Sequence, residues 1–398
     1  MTGEWIAKHS SRFMRFMGFM KVHEVRFRVR RASFNPMNLM NPMNRLVLVL
    51  SFLLPLAQAG PTSVSYPAKA GPGAGKRVVF LAGDEEYRSE EALPMLAKIL
   101  SQRHGFQCTV LFSVGPDGTI DPKAVGSLSD GAALDQADAI VMSLRFRHWA
   151  DADMARFAAR LNAGVPIVAL RTSTHAFNGF PADSPWVSWN HDNHGGFGKR
   201  VLGETWLTHW GRHKVEGTRG VIEPAQRANP LLRGIDSIAG DTDVYEAYPS
   251  GDATVLVRGL VLTTLAPDSP PADYKKPRST DKVEQGVNDP AMPVAWTRTN
   301  VNENGSRNRV LTTTMGAATD LENEGLRRLL VNGVYWGLGL PVPEKADVRV
   351  VDPYQPSFYG FDGFRKGLHA SDFALGKVVP GQPLPRPTPG AGRGNPPR

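Results

Sequence analysis

The sequence predicts an α/β fold, a parallel sheet flanked by helices, and three observations predict it. The run at 165–170 is wholly apolar and breaks abruptly into polar side chains at Arg171. That is how a strand buried on both faces reads where it ends in a loop. The run at 77–82 does the same before Gly83-Asp-Glu-Glu-Tyr-Arg88. Segments with helical periodicity alternate with these runs, which requires right-handed crossovers between parallel strands. At 398 residues, 41% apolar and 21% charged, the chain is long enough to bury a core of one large or two ordinary domains.

Taken in order, the chain begins with a leader. Arg45 is followed by an apolar run at 46–56 and by Ala57-Gln-Ala59, the charged region, apolar region and small-x-small pattern of a secretory signal. Export to the periplasm or the extracellular space is the expectation. The run is far short of the roughly 20 residues that span a bilayer, so no stable membrane span remains after cleavage. The 42 residues before Met43 hold six of the twelve methionines and exceed an ordinary charged region, which points to a start at Met43 or Met40. The net charge of +8 would suggest nucleic acid, but residues 1–59 hold nine Lys and Arg against Glu4 and Glu24. The rest of the chain is close to neutral, so a nucleic-acid groove is not expected. Cys108 is the sole cysteine, so no internal disulfide supports an exported chain, and its apolar surroundings mark a buried, inert thiol.

After a Pro/Gly-rich linker at 60–76, the strand at 77–82 opens into the acidic loop, and Ser89 is placed to cap a helix running to about Arg103. Glu90 and Glu91 lie at that helix's positive end. Strands come next at 106–112 and 137–144, then an amphipathic helix at 150–161 returns the chain to the central strand. Loops at the carboxyl ends of parallel strands form the ligand edge of an open sheet, so Arg171, Thr172, Thr174 and His175 are candidates there. Beyond Phe177 the chain is rich in tryptophan and histidine, with five of the ten histidines between His175 and His213. His209 and His213 are spaced to share a helical face, but Gly211 lies between them and the glutamate of an HExxH motif is absent. No metal ligands are assigned on this spacing, and a divalent metal stays open as a cofactor.

Strands are expected at 215–222 and 253–264, separated by Asp241-Thr-Asp-Val-Tyr-Glu-Ala-Tyr248, whose acids and tyrosines suit a polar cleft or an ordinary loop. A Pro-, Lys- and Asp-rich mobile excursion is expected at 266–289. Strands resume at 292–297 and 309–315. Gly316 then opens a loop into Thr319-Asp-Leu-Glu322, a capping-box pattern ahead of a helix with Leu326, Leu330, Val334 and Leu338 on one face. An aromatic piece at 354–364, within an extension at 342–379, is expected to wrap the domain. From Pro380 onward, seven prolines and four glycines in 19 residues predict disorder.

Four stretches together resemble the ThuA-like (trehalose utilisation) family, in its exported bacterial form: Val78-Val-Phe-Leu-Ala-Gly-Asp-Glu-Glu-Tyr-Arg-Ser-Glu-Glu91, Pro166-Ile-Val-Ala-Leu-Arg-Thr-Ser-Thr-His-Ala-Phe177, Pro293-Val-Ala-Trp-Thr-Arg298 and Leu326-Arg-Arg-Leu-Leu-Val-Asn-Gly-Val-Tyr-Trp-Gly-Leu-Gly339. The resemblance covers about residues 76–341, and the main domain is bounded at 77–341. It implies a flavodoxin-like sheet of the class I glutamine amidotransferase type and a role in carbohydrate utilisation through 3-keto sugars. Two departures stand out. Where a glutaminase carries its nucleophilic cysteine this chain has Arg171, so amide hydrolysis has no thiol to run on. Where many relatives carry Gly-His after the strand at 309–315, this chain has Gly316-Ala317.

The expected ligand is a small carbohydrate. One reading is an enzyme, a hydrolase, lyase or isomerase on a keto-sugar. In it His175 or His209 is the base, Glu86 an acid/base partner, and Arg171 the clamp for a developing oxyanion. Tyr87, Arg88, Thr174 and Tyr245 complete the ligand-binding set. The competing reading is a carbohydrate-binding domain that keeps the cleft without the chemistry. Oligomeric state is not legible. Export predicts a mature N-terminus at or near Gly60, which N-terminal sequencing of protein from the native host checks; residues 1–42 recovered intact in a cytoplasmic fraction would overturn it.

Overall fold

Alternate residues of a strand buried on both faces serve two different cores, and the central strands divide their side chains in this way. Val78, Phe80 and Ala82 belong to one apolar cluster with Leu93, Leu96, Leu330 and Val334, whereas Val79 and Leu81 belong to another with Met154, Phe157 and Leu161. The computed structural model describes residues 61–387, all within the unit Ala57–Arg398. The leader with its signal pattern, and residues 388–398 of the Pro/Gly-rich tail, lie outside the described residues. Among the described residues no helix is long and apolar enough to cross a membrane.

The strands in chain order are β1 (Ser63–Tyr66), β2 (Arg77–Gly83), β3 (Gln107–Phe112), β4 (Ala139–Leu144), β5 (Ile167–Leu170), β6 (Thr218–Ile222), β7 (Ile238–Gly240), β8 (Thr254–Val261), β9 (Lys275–Pro277), β10 (Glu284–Gly286), β11 (Met292–Val301) and β12 (Arg307–Thr313). The helices are α1 (Ser89–His104), α2 (Asp151–Asn162) and α3 (Glu324–Gly337). Ten strands form one sheet in the order β1-β3-β2-β4-β5-β12-β11-β8-β6-β7. The α/β class is as the sequence predicts, with parallel pairing confined to the centre, β3-β2-β4-β5-β12. The outer strands run antiparallel. The reason is local: β11 and β12 are joined by a short turn closed by Asn302, Gly305 and Ser306, with no crossover helix to bring the chain back parallel.

Four local expectations are corrected. Ser89 does not cap α1; the capping position is Arg88, in the left-handed region at φ 61°, and the Ser89 hydroxyl instead accepts the Asp84 N–H at 3.1 Å. The capping box expected at 319–322 is a separate 3₁₀ turn, and Asn323 caps α3 by accepting the Leu326 N–H at 2.8 Å. The excursion at 266–289 is an ordered hairpin of β9 and β10, anchored where Lys276 donates to the carbonyls of His209 and Trp210, each at 3.0 Å. The start of the Pro-rich tail is engaged as well, since Arg386 pairs with Asp241 and Glu322. The piece at 354–364 lies against the acidic loop: the Gly360 N–H donates to the Glu86 carbonyl at 2.8 Å and the Tyr359 ring stacks on Tyr87.

Asn323→Ala removes the side-chain acceptor at the start of α3 and should lower stability by about 1 kcal/mol. A lower midpoint of chemical unfolding with an unchanged slope checks it.

Candidate active site

Two short loops at the carboxyl edge are locked together by one buried carboxylate. Asp84, just after β2, accepts the N–H groups of Glu86 at 2.7 Å and Tyr87 at 2.9 Å through one oxygen. This is the local turn that aspartate favours. Its other oxygen accepts the Thr172 hydroxyl from the turn after β5. That turn begins with Arg171 in the left-handed region, at φ 42°, and passes at once into a 3₁₀ turn, Arg171–His175. A sharp strand-to-helix turn of this kind exposes a nucleophile in other α/β enzymes. Here it holds an arginine, and the turn is packed so closely that a Cβ on Gly198 would lie 1.9 Å from the Thr174 carbonyl oxygen.

Arg171 is fully buried and directed into the protein. Its Nη1 donates to the carbonyls of Asp243 and Thr314, each at 2.7 Å, and its Nη2 donates to Asp243 Oδ1 at 3.0 Å and to the Tyr87 hydroxyl at 3.2 Å. The guanidinium lies between the rings of Tyr245 and Tyr87, 3.9 and 4.5 Å from their centroids. The expectation that it clamps a ligand is therefore corrected: the hydrogen bonds it makes end on the protein, and it can act on a ligand only through Asp243 and the two tyrosines.

Asp243 is the hub. Its Oδ2 accepts His209 Nδ1 at 2.7 Å and its Oδ1 accepts His213 Nδ1 at 3.1 Å, while His213 Nε2 faces Glu86 Oε1 at 3.0 Å. Burial works against the Asp243 carboxylate, but Arg171 and the bonds from His209 and His213 outweigh it and hold the group well below the usual carboxylate range. Burial also opposes charge on His213, yet its bonds to Asp243 and Glu86 win and raise its pKa. Both of its nitrogens face carboxylates, and only an imidazolium donates from both. Burial raises the Glu86 carboxyl too, but the His213 bond and charge bring it below the ordinary value. His209 differs: with Nδ1 committed to Asp243, its Nε2 has no partner among the described residues, and the side chain is 32% exposed.

His209 and His213 are neighbours, with ring centroids 4.5 Å apart, but on an irregular loop rather than one face of a helix. One ligand atom from each lies with one from Asp243 inside a 4.8 Å spread, the set a divalent ion could use among the described residues. Ligands about 2.1 Å from a tetrahedral ion stand roughly 3.4 Å apart. The 2.7 Å contact of His209 with Asp243, and the Arg171 cation on the same carboxylate, fit shared protons instead.

A second wall carries His175. Its ring lies among Phe146, Trp206 and His191, with centroids 5.0, 5.2 and 5.7 Å away, and it reaches Tyr245 at 6.4 Å. Burial, then the charge of Arg145, push its pKa well below the ordinary value. Of the residues expected from sequence, Glu86, Tyr87, Arg171, His209 and Tyr245 meet directly, and His175 joins them across Tyr245. Thr174 is buried beneath, its hydroxyl on the Arg171 carbonyl at 3.3 Å. Arg88 does not join, which corrects its placement as a ligand-binding residue. It is fully buried 3.6 Å from Glu90, against Gly363 of the C-terminal segment, because its left-handed backbone turns it away from Glu86 and Tyr87. Sequence reasoning missed Asp243, Arg145 and Tyr359, and weighed His191 and His213 only among the histidines for a metal or polar ligand and Trp206 only among the tryptophans. Asp243 was visible as one of several acids in its loop, without a signal separating it from Asp241. A cavity of about 740 Å³ lies beside the cluster rather than over it, lined by Lys214, Asp241, Leu265, Asp320, Glu322 and Arg386 among others.

In fold, the chain is similar to thua-like proteins. A structure described as thua-like from Bacteroides uniformis ATCC 8492 matches at 15% identity and a TM-score of 0.41, over 68% of this chain and 94% of that one. One from Parabacteroides merdae ATCC 43184, also described as thua-like, matches at 12% identity and a TM-score of 0.40, over 72% and 95%. An exo-β-1,4-mannosidase from Opitutaceae bacterium strain TAV5 matches at 9% identity and a TM-score of 0.29, over 65% of this chain and 35% of that one. These likenesses concern the fold alone. Neither protein-family models nor curated proteins give a match.

The raised pKa of His213 contributes stability that is fully present below its unfolded value, near 6.5, and is lost as pH rises through the folded value. Unfolding free energy should therefore fall with rising pH above about 6.5, and His213→Gln should remove that component, as chemical denaturation across pH checks.

Proposed function

We propose that this chain is an exported ThuA-like enzyme acting on a sugar or 3-keto-glycoside, in which His209 is the base. One observation carries the reading: Asp243 holds His209 by Nδ1 and leaves Nε2 without a partner among the described residues, on a side chain that is 32% exposed. A buried carboxylate behind an imidazole fixes its tautomer and stabilises the imidazolium formed when Nε2 takes a proton. Arg171 keeps that carboxylate ionised. The Glu86–His213 pair, one ring away, is a store of charge and proton that can follow the transfer. Trp206 and Tyr245 stand edge-on to His209, at 5.8 and 5.4 Å between centroids, and give the apolar wall against which a sugar ring can lie. The stretches at 78–91 and 166–177 support the family reading, and the leader supports export. In such a reaction Nε2 removes the proton next to a carbonyl, the step shared by elimination and isomerisation of keto-sugars.

A second reading, carbohydrate binding without turnover, is favoured by Ala317. It is fully buried against Tyr87, Phe358 and Tyr359, so the place of a histidine in many relatives is filled by an aromatic cluster.

His209→Asn should lower kcat on a 3-keto-glucoside by about 10²–10⁴ with little change in KM, and dialysis against EDTA should leave the wild-type rate unchanged. Full turnover by the variant would remove His209 from the chemistry. Saturable binding with no turnover by the wild type would select the second reading.

A further inference from the structure

We propose that His175, His191 and Trp206 form a subsite that recognises a neutral vicinal diol, the two imidazoles accepting its hydroxyl protons and the indole donating to its oxygen. This deepens the reading of the site as one for a sugar and rests on it. The protons decide the matter. The Thr174 hydroxyl donates to the Arg171 carbonyl at 3.3 Å, and a hydroxyl has one proton, so toward His175 Nδ1, also at 3.3 Å, it can only accept. In that arrangement His175 carries its proton on Nδ1. The same relay repeats one step away: the Thr205 hydroxyl donates to the Thr174 carbonyl at 3.3 Å and accepts from His191 Nδ1 at 2.9 Å. Both rings are thereby fixed with a bare lone pair on Nε2, and neither Nε2 has a partner among the described residues.

Burial, with Arg145 nearby, lowers the pKa of both imidazoles and keeps them neutral. The charged groups around them are committed elsewhere: Arg145 pairs with Glu85, Arg171 with Asp243, and Asp192 acts on His191 from the chain neighbour's position. Trp206 packs against both rings, 5.2 and 6.2 Å from their centroids, and its Nε1–H is shielded from solvent with no acceptor among the described residues. An unmet donor in such a place is costly, and a ligand oxygen relieves it. Two bare acceptors beside one unmet donor complement adjacent hydroxyls, each of which gives a proton and takes one. A carboxylate or phosphate offers acceptors only and would set its charge against two lone pairs.

The test uses the full chain labelled with ¹⁵N-histidine. Two-bond proton–nitrogen NMR should find His175 and His191 as Nδ1–H tautomers at pH 7.5, with their Nε2 signals moving on addition of methyl β-D-glucopyranoside. Calorimetry should show that glucoside binding more tightly than its 2,3-dideoxy analogue, which has no vicinal diol, and His191→Phe, at a half-buried position, weakening it about tenfold. A protonated Nε2 on either ring, the 2,3-dideoxy analogue binding as tightly as the glucoside, no binding of the glucoside, or an unchanged affinity in a folded His191→Phe each overturns the subsite. Repeating the measurement in His209→Asn separates the two readings, because tautomers and diol binding should persist there although the base is gone. If they persist while turnover also persists, the catalytic reading alone fails.

Discussion

The Arg171 guanidinium and the Asp243 carboxylate meet at 3.0 Å with neither exposed to solvent, and the site is arranged around that contact. Each charge would be costly alone, and removing one partner from such a pair typically destabilises a protein by about 3–5 kcal/mol. The pair survives because it is well supported: Arg171 also holds the carbonyls of Asp243 and Thr314 and lies between two tyrosine rings, and Asp243 takes both histidines. The loops that supply these groups come after β2, β5 and β12, or lie at 206–213 and 241–248. Their positions are therefore fixed by one electrostatic demand as much as by backbone pairing.

Two walls of opposite character extend from that contact. On one, Asp243, His213 and Glu86 form an ionised chain, and His209 is hydrogen-bonded to it through Nδ1. On the other, His175 is buried and His191 and Trp206 are half-buried, and each imidazole meets a threonine hydroxyl through Nδ1. Tyr245 touches both walls, and Tyr87 joins the first to the C-terminal segment through its stack on Tyr359. On the proposed reading, a ligand spanning the two meets the base on one side and the diol subsite on the other. The C-terminal segment thus belongs to the site's support: without Tyr359 and Gly360, the loop that carries Glu86 and Tyr87 would lose its outer packing.

The arginine after β5 also stands where such a turn holds a nucleophile in other α/β enzymes. The sharp turn with its left-handed residue is present, but a cation there cannot form a covalent bond with a carbonyl; it can only set the charge of a neighbour. Cys108, the sole thiol, lies in the core of β3, and burial pushes its pKa well above the ordinary thiol value.

Sequence alone determined the α/β class, the central strands and the loops that bear the site, because a change from apolar to polar at a strand's end is a local signal that burial imposes directly. It brought Glu86, Tyr87, Arg171, His175 and His209 into view for the same reason. It did not find that Arg171 is buried, that Arg88 turns away, or that Asp243 rather than Asp241 is the hub. Asp241 and Asp243 sit two residues apart in the same loop with the same side chain; one lies against Arg386 and Asp320, the other against Arg171 and two histidines. Only the tertiary structure separated them, because the charge that selects a carboxylate's role came from residue 171, more than seventy positions earlier in the chain, and no local pattern carries that distance.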